Sequence, residues 1–426
     1  MDIYNLVSFA GLFVLLLFAY ALSGNRKAVN FRLVALCVLM QFVVGVVIFV
    51  MIAWVPDRFN PFLLLNEFVK VLIEASSKGT EFVFGSLADE DRHGFIFIVQ
   101  AIPAIIFFSG LVAILQHIGF LPWLIRVFSS FFSRVLHLSG AESLVGASNI
   151  FIGVESSVMV KDFIQKMTLS ELTTILSCGM ATVASNVLAL YVFALQESFP
   201  SIAAHLISAS ILSAPAAFAV SKIIFPETGK PVTMSADVRP AYEQTDSIFE
   251  AIINGSNNGM KLVSGIIALL LSVLGLVELV NIFLGWTAGL LPWRFDISLS
   301  SIFGAAGYPF ALIMGVPPSD AMEVGSLLGT RIIETEVPAY FALGDMVKEG
   351  VLEYQRSKVI AAYALCGFSH IASVAIFVGG YAALAPKRSK DLSAAGFKAL
   401  MAATLACFMT ACIAGTFYMK GSLIFS

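Results

Sequence analysis

The chain has 426 residues, 58% of them hydrophobic and 12% charged, with a formal net charge of −3. That composition excludes an ordinary soluble domain, and the near-neutral charge gives no reason to expect nucleic acid as a partner. Apolar runs of about 20 residues recur and the short alternating segments of a membrane β-barrel are absent, so the expected fold is an all-α polytopic membrane protein.

The first span is expected from Ile3 to Leu22. Asp2 is its only early charge and Arg26 and Lys27 follow it, the polarity of a retained first helix whose C-terminal end lies inside. A second span covers about Leu33 to Val55. Between Asp57 and His93 acids outnumber bases and the pattern turns amphipathic, which predicts an interfacial helix and a loop outside. A third span runs from Phe95 to His117 and contains Pro103. Phe120 to Leu138, with Arg126 and Arg134 among bulky apolar residues, reads as an amphipathic helix at the inner surface.

Ala141 to Met167 is too short and too broken to span a bilayer. It holds SNIFIGVESSVMV, where Asn149, Glu155, Ser156 and Ser157 sit among apolar residues, a costly arrangement unless they line a cavity or bind something. A re-entrant hairpin is predicted there. Ser170 to Leu195 is a fourth span interrupted at 181–186, and Ile202 to Phe225 is a fifth. The polar stretch that follows carries Lys230 and Arg239 and is expected inside. Ser247 to Asn258 is weakly amphipathic and leads into a sixth span at Met260 to Phe283. Leu299 to Glu336 is apolar but punctuated: its stretch GAAGYPFALIMGVPPSDAMEVGSLLG holds glycines, three prolines and two acids, which predicts a second re-entrant hairpin. Lys358 to Leu384 is a seventh span, interrupted at 367–370. The basic loop at Lys387, Arg388 and Lys390 precedes an eighth, Leu392 to Tyr418.

Eight spans with the basic loops inside place both termini outside. Hairpin, broken span and whole span occur at 141–225 and again at 299–418 from opposite sides, the inverted-repeat pattern of secondary transporters. The expected organisation is scaffold spans and interfacial helices in 1–140, a first transport repeat in 141–225, a polar loop, amphipathic helix and scaffold span in 226–298, and a second transport repeat in 299–426.

Polar residues gather where the elements are interrupted: Asn149 with Glu155, Ser156 and Ser157; Thr182 with Ser185 and Asn186; Glu334 with Glu336; His370 with Ser373. Neither a nucleophile elbow nor metal-ligand spacing is present, so an enzyme is not expected. Carboxylates and amides suit the hydroxyls and ring nitrogens of a polar solute, and exposed helix-end carbonyls suit a small cation. Cys37, Cys178, Cys366, Cys407 and Cys412 have no CxxC spacing and are expected to pack. His93, His117 and His137 lie near span ends, and His205 has no evident partner.

The chain resembles the concentrative nucleoside transporters over essentially its whole length. The resemblance is carried by Asn149 to Gly153, Lys166 to Leu172, Ala364 to Phe368, Glu336 with Ala339 and Tyr340, Leu384 to Arg388, Ser23 to Ala28 and Pro226 to Thr228. It implies a homotrimer in the cell membrane (the cytoplasmic membrane of a bacterium), with eight spans, interfacial helices and two re-entrant hairpins. It also implies import of nucleosides driven by sodium or protons, with no cofactor beyond the coupling ion. Carried over by position, the sodium site falls on Asn149, Ile152, Thr182 and Val183. The ribose-binding carboxylate falls on Glu336, its serine on Ser373, and His370 stands where the family has asparagine. The family's GQTEAP reads Gly153-Val154-Glu155-Ser156-Ser157-Val158 here, so Val154, Glu155 and Ser156 replace the residues that read the base. The expected function is therefore a cation-coupled symporter for nucleosides or nucleoside-like solutes, with a different polar metabolite on the same scaffold as the alternative.

Overall fold

The structure, a computed structural model, describes residues 2–234, 238, 245–289, 298–422 and 424. Arg239 of the expected inner loop lies outside these residues. Secondary structure among the described residues is helical. The main helices are α1 (Ile3–Ala21), α2 (Phe31–Gly45, continued by a wider turn over Val46–Met51), α3 (Pro61–Phe84), α4 (Pro103–His117), α5 (Phe120–Leu136) and α6 (Gly140–Asn149). After them come α7 (Leu169–Ala181), α8 (Ser185–Leu195), α9 (Ile202–Ile224), α10 (Ile248–Gly289), α11 (Leu299–Ile313) and α12 (Ala321–Ile333). The last four are α13 (Glu336–Lys348), α14 (Gln355–Leu365), α15 (Ile371–Leu384) and α16 (Ser389–Phe417).

Seven helices among the described residues are long and apolar enough to cross a membrane. They coincide with seven of the expected spans; the remaining one, 358–384, is divided between α14 and α15. Local chemistry explains the ends. Asn60 accepts from the N–H groups of Phe62 and Leu63, and Pro61 opens α3 with its fixed φ. Pro103 lies within the third span, Phe97–His117, where it occupies the first turn of α4 after a turn at Phe97–Gln100. The amphipathic stretch and sixth span expected as separate pieces form one helix of 42 residues, since no proline or loop signal divides them.

The second punctuated run also differs from expectation. Leu299 to Glu336 holds two packed helices, α11 and α12, joined by the turn at 314–320, and Glu336 opens a further helix, α13, that the sequence reading did not assign. Pro338 falls in the first turn of α13, where a missing N–H costs nothing. Helices α11 and α12 pack backbone to backbone. A Cβ on Gly307 would lie 2.5 Å from the Gly325 carbonyl oxygen, so only glycine permits the approach. The order from 120 to 224 (α5, α6 with the turns over Val154–Ile164, broken α7–α8, α9) recurs from 299 to 417 as α11, α12 with α13, broken α14–α15, α16.

Helices α6, α7, α9, α14 and α16 form the interior. In the most apolar stretch of α9 89% of the residues are buried, against 6% in that of α10, so α10 runs along the outside. The two interrupted helices meet in this interior. Gly367 has φ +153°, and a Cβ there would lie 2.8 Å from the Ala181 carbonyl oxygen and 2.7 Å from Cys407 Sγ. All five cysteines are free and buried, as packing residues are expected to be.

Candidate functional site

Four helix ends supply the polar groups. In the first half, α6 ends at Asn149 and α7 ends at Ala181, where Thr182 adopts extended backbone and Ser185 starts α8. In the second half, Glu336 is the first residue of α13 and His370 is the N-cap of α15. Asn149 and Thr182 thus stand at carbonyl ends and Glu336 and His370 at N–H ends, which favour opposite charges.

Glu336 and His370 are 3% and 2% exposed and lie together, with Nε2 of His370 3.1 Å from Oε2 of Glu336. Tyr191 on α8 donates to the other carboxylate oxygen at 2.7 Å. The Ser373 N–H donates to His370 Nδ1 at 3.1 Å, which assigns the ring proton to Nε2, toward the carboxylate. Ser373 Oγ donates to the His370 carbonyl at 2.6 Å, so its hydroxyl holds the turn of the break. Tyr191 stacks on Tyr340 with centroids 4.5 Å apart, and Tyr340 donates to the Ala362 carbonyl at 2.9 Å. Glu336 and His370 line a cavity of about 60 Å³ with Val187, Thr335, Phe368 and, on α10, Ile266.

A wider cavity of about 930 Å³ lies next along α10. Leu262 and Asn186 line it, each adjacent to a residue of the narrow one: Ile266 is a turn further along α10, and Val187 is the next residue. Glu155 is exposed to the wide cavity, together with Ile152, Gln116, Glu250 and Asn254. Ser156 and Ser157 are buried instead of facing it. Ser156 donates to Asn149 Oδ1 at 3.3 Å, while Asn149 Nδ2 donates to the Val145 carbonyl at 2.9 Å. Thr182 Oγ1 donates to the Cys178 carbonyl at 2.8 Å, within its own helix. The tip and the break are held together by the Ser185 N–H, which donates to the Phe151 carbonyl at 3.2 Å. Val154 lies against α15, its Cγ2 2.8 Å from where a Cβ on Gly380 would stand.

The structure thus gathers Glu336, His370 and Ser373 in one cluster, and it places Glu155 on the neighbouring cavity. The donors around Asn149, Ile152, Thr182 and Val183 are amide, hydroxyl and carbonyl oxygens, the chemistry that suits a hard monovalent cation. His205, for which the sequence offers no partner, is held by Tyr363 Oη at 3.1 Å and the Ile424 carbonyl at 2.7 Å and stands outside the site. Tyr191 is the residue that sequence reasoning missed. It lies 145 positions from Glu336 inside an apolar helix, where a tyrosine ordinarily signals packing.

Three stretches of the chain match descriptions of one transporter family. Residues 10–87 match the N-terminus of the Na+ dependent nucleoside transporters, 205–415 match their C-terminus, and 98–198 match a gate segment described as nucleoside recognition. The chain is 35% identical over 428 residues to solute carrier family 28 member 3 of Mus musculus, covering 96% of this chain and 58% of that protein. It therefore spans about three fifths of the mammalian protein's length. It is 32% identical to nucleoside permease NupC of Helicobacter pylori, covering 97% of this chain and 98% of that protein. Among solved structures, CNTnw in an inward-facing substrate-bound state superposes with a TM-score of 0.87 at 34% identity, over 97% of this chain and 98% of that one. An outward-facing variant of CNTnw gives the same TM-score at 33% identity, over 98% of each chain.

Proposed function

This chain belongs to the Na+ dependent nucleoside transporter family, multi-pass membrane transporters and not enzymes, and from that premise we propose a symporter that imports nucleosides or nucleoside-like solutes by alternating access. Sodium is the coupling ion of the proposal, with protons as the substitute to be tested. The proposed topology has eight crossings, a trimeric assembly and two inverted repeats at 141–225 and 299–426. Each repeat would carry a re-entrant hairpin, the second one built from α12 and α13 with its bend at Glu334 and Thr335.

The buried Glu336–His370–Tyr191 cluster carries the reading. A carboxylate at bilayer depth is costly unless it works, and here it sits at a helix N-terminus with two neutral donors already on it. The hydroxyls of a ribose can replace those donors one for one, leaving the carboxylate satisfied with and without solute. In this proposal Glu336, His370 and Ser373 hold the sugar end. Glu155 faces the ring end, while Val154, Ser156 and Ser157 shape the tip that carries it. Asn149, Thr182 and the carbonyls of Ile152 and Val183 hold the cation where α7 ends.

The alternative, a different polar metabolite on the same scaffold, is favoured by one observation. Val154 offers no amide and packs on α15, so that position lacks a side chain that both donates and accepts. Uptake by the full chain in proteoliposomes decides between them. A nucleoside panel is offered with an inward sodium gradient, with a proton gradient and with neither. Gradient-driven accumulation of a nucleoside supports the proposal; no accumulation of any nucleoside under either gradient overturns it.

A further inference from the structure

Arg331 is among the largest fully buried side chains, at 0% exposed, and stands in the last turn of α12, five residues before Glu336. It has no carboxylate partner among the described residues. Its Nη1 donates to the Ala364 carbonyl at the end of α14, and its guanidinium carbon lies 5.4 Å from the centre of the Phe408 ring. Nε and Nη2 are buried without a hydrogen-bond partner. A guanidinium in such a place is expensive, and what compensates it is the carbonyl end of an interrupted helix and an aromatic face.

The first half places something different at the matching point. There α6 ends at Asn149 and packs beside α7, and among the described residues the hydrogen bonds to the interrupted end at Ala181 and Thr182 come from neutral groups. The Ala181 carbonyl has Cys407 Sγ at 3.7 Å, and that same sulfur is 3.3 Å from the Cys366 carbonyl at the other break. The two helix ends thus lie on either side of one thiol. A threonine hydroxyl bonds back to the first; a fixed positive charge caps the second.

We propose that Arg331 is a tethered cation filling the second half's counterpart of the coupling-ion site, so that one mobile cation, bound at the first break, accompanies each solute. This rests on the symport reading above. A charge fixed to α12 neutralises the carbonyl end of α14 in every state and cannot be driven by a gradient. Removing it leaves that end open to a mobile ion. Arg331 is then a positioning residue that sets stoichiometry without touching the solute.

The test is the sodium dependence of uptake and a count of sodium sites by calorimetry on the purified full chain. Wild type and Arg331→Lys should show a Hill coefficient of about one and one site. Arg331→Asn, which installs the residue type of the first half, should raise the Hill coefficient toward two and add a second, weaker site. Arg331→Gln keeps an N–H for the Ala364 carbonyl and serves as the second neutral variant if the asparagine protein does not fold; it should show the same rise. Melting temperatures establish which variants are folded. A neutral, folded variant that retains one site and a Hill coefficient of one, with only its maximal rate reduced, assigns Arg331 a merely structural role and overturns the inference while the symport reading stands. Wild-type protein that binds no sodium overturns sodium coupling, and the tethered cation with it.

Discussion

The two interrupted helices, α7–α8 and α14–α15, meet at Gly367 and Ala181 yet carry opposite chemistry. The first break has extended backbone at Thr182 and is tied to Phe151 through the Ser185 N–H, with no charged side chain bonded to its ends among the described residues. The second is crowded with ionisable groups: Arg331 on the carbonyl end of α14, and His370 with Glu336 at the N-terminal end of α15. An opening lined by neutral oxygens leaves room for an ion that comes and goes. An opening whose charges are supplied by the protein leaves room for a solute that exchanges hydrogen bonds. One architecture used twice can therefore serve ion and solute separately, through the side chains set at each break.

The roots of the two halves are alike in being pinned. Lys222 bridges Glu142 at 2.5 Å and the Ser170 hydroxyl at 2.9 Å, tying α9 to the starts of α6 and α7. In the second half Asp320 accepts from the N–H groups of Glu353 and Tyr354 at 3.2 and 3.1 Å, while Arg356 donates to the Gly315 carbonyl at 2.8 Å. Satisfied networks at the roots and interrupted backbone at the tips locate the freedom to rearrange at the tips.

The largest effect is expected at the second break. Glu336→Gln should abolish solute uptake, a loss of at least about 100-fold or 2.7 kcal/mol, with little change in melting temperature. Unchanged uptake would remove the carboxylate from the site. Gly367→Ala attacks both breaks together, because its methyl would meet the Ala181 carbonyl and Cys407 Sγ inside ordinary contact distance. A destabilisation of about 2–3 kcal/mol is expected, read as a lowered melting temperature together with lost uptake. Tyr191→Phe removes one donor from Glu336 and should weaken solute affinity about tenfold, near 1.4 kcal/mol, leaving sodium affinity in place. Equal weakening for both ligands would blur the division between the halves. Thr182→Val should do the reverse, raising the sodium concentration needed for half-maximal uptake several-fold, while Thr182→Ser stays near wild type. The smallest effect expected is a gain: Val154→Gln with Glu155→Thr and Ser156→Glu rebuilds the family tip and should raise uptake of common nucleosides relative to wild type.

Much of this was legible in the chain. Hydropathy locates the long helices because backbone groups in a bilayer are satisfied only within helices, so apolar length is nearly decisive. The interruptions at 181–186 and 367–370 are visible because small and polar residues break otherwise apolar runs. Glu336 and His370 stand out because ionisable groups there are expensive. What the sequence hides are pairings across distance and the limits of short helices. Tyr191 reads as packing until the fold brings Glu336 to it, and Arg331 reads as a charge on a helix face until α14 ends against it. Helix α13 was missed because Glu336 and Pro338 look like the end of a run, although both suit a first helical turn. Residues 248–289 were split by an amphipathic pattern that a continuous helix accommodates on its exposed side.

The most direct test of the central claim is nucleoside binding to the purified chain in sodium and in potassium, for wild type and Glu336→Gln. The account predicts that wild-type protein binds a nucleoside in sodium, binds it weakly or not at all in potassium, and loses it in both salts when Glu336 becomes glutamine. Binding of equal strength in potassium, or binding that survives Glu336→Gln unchanged, would contradict it.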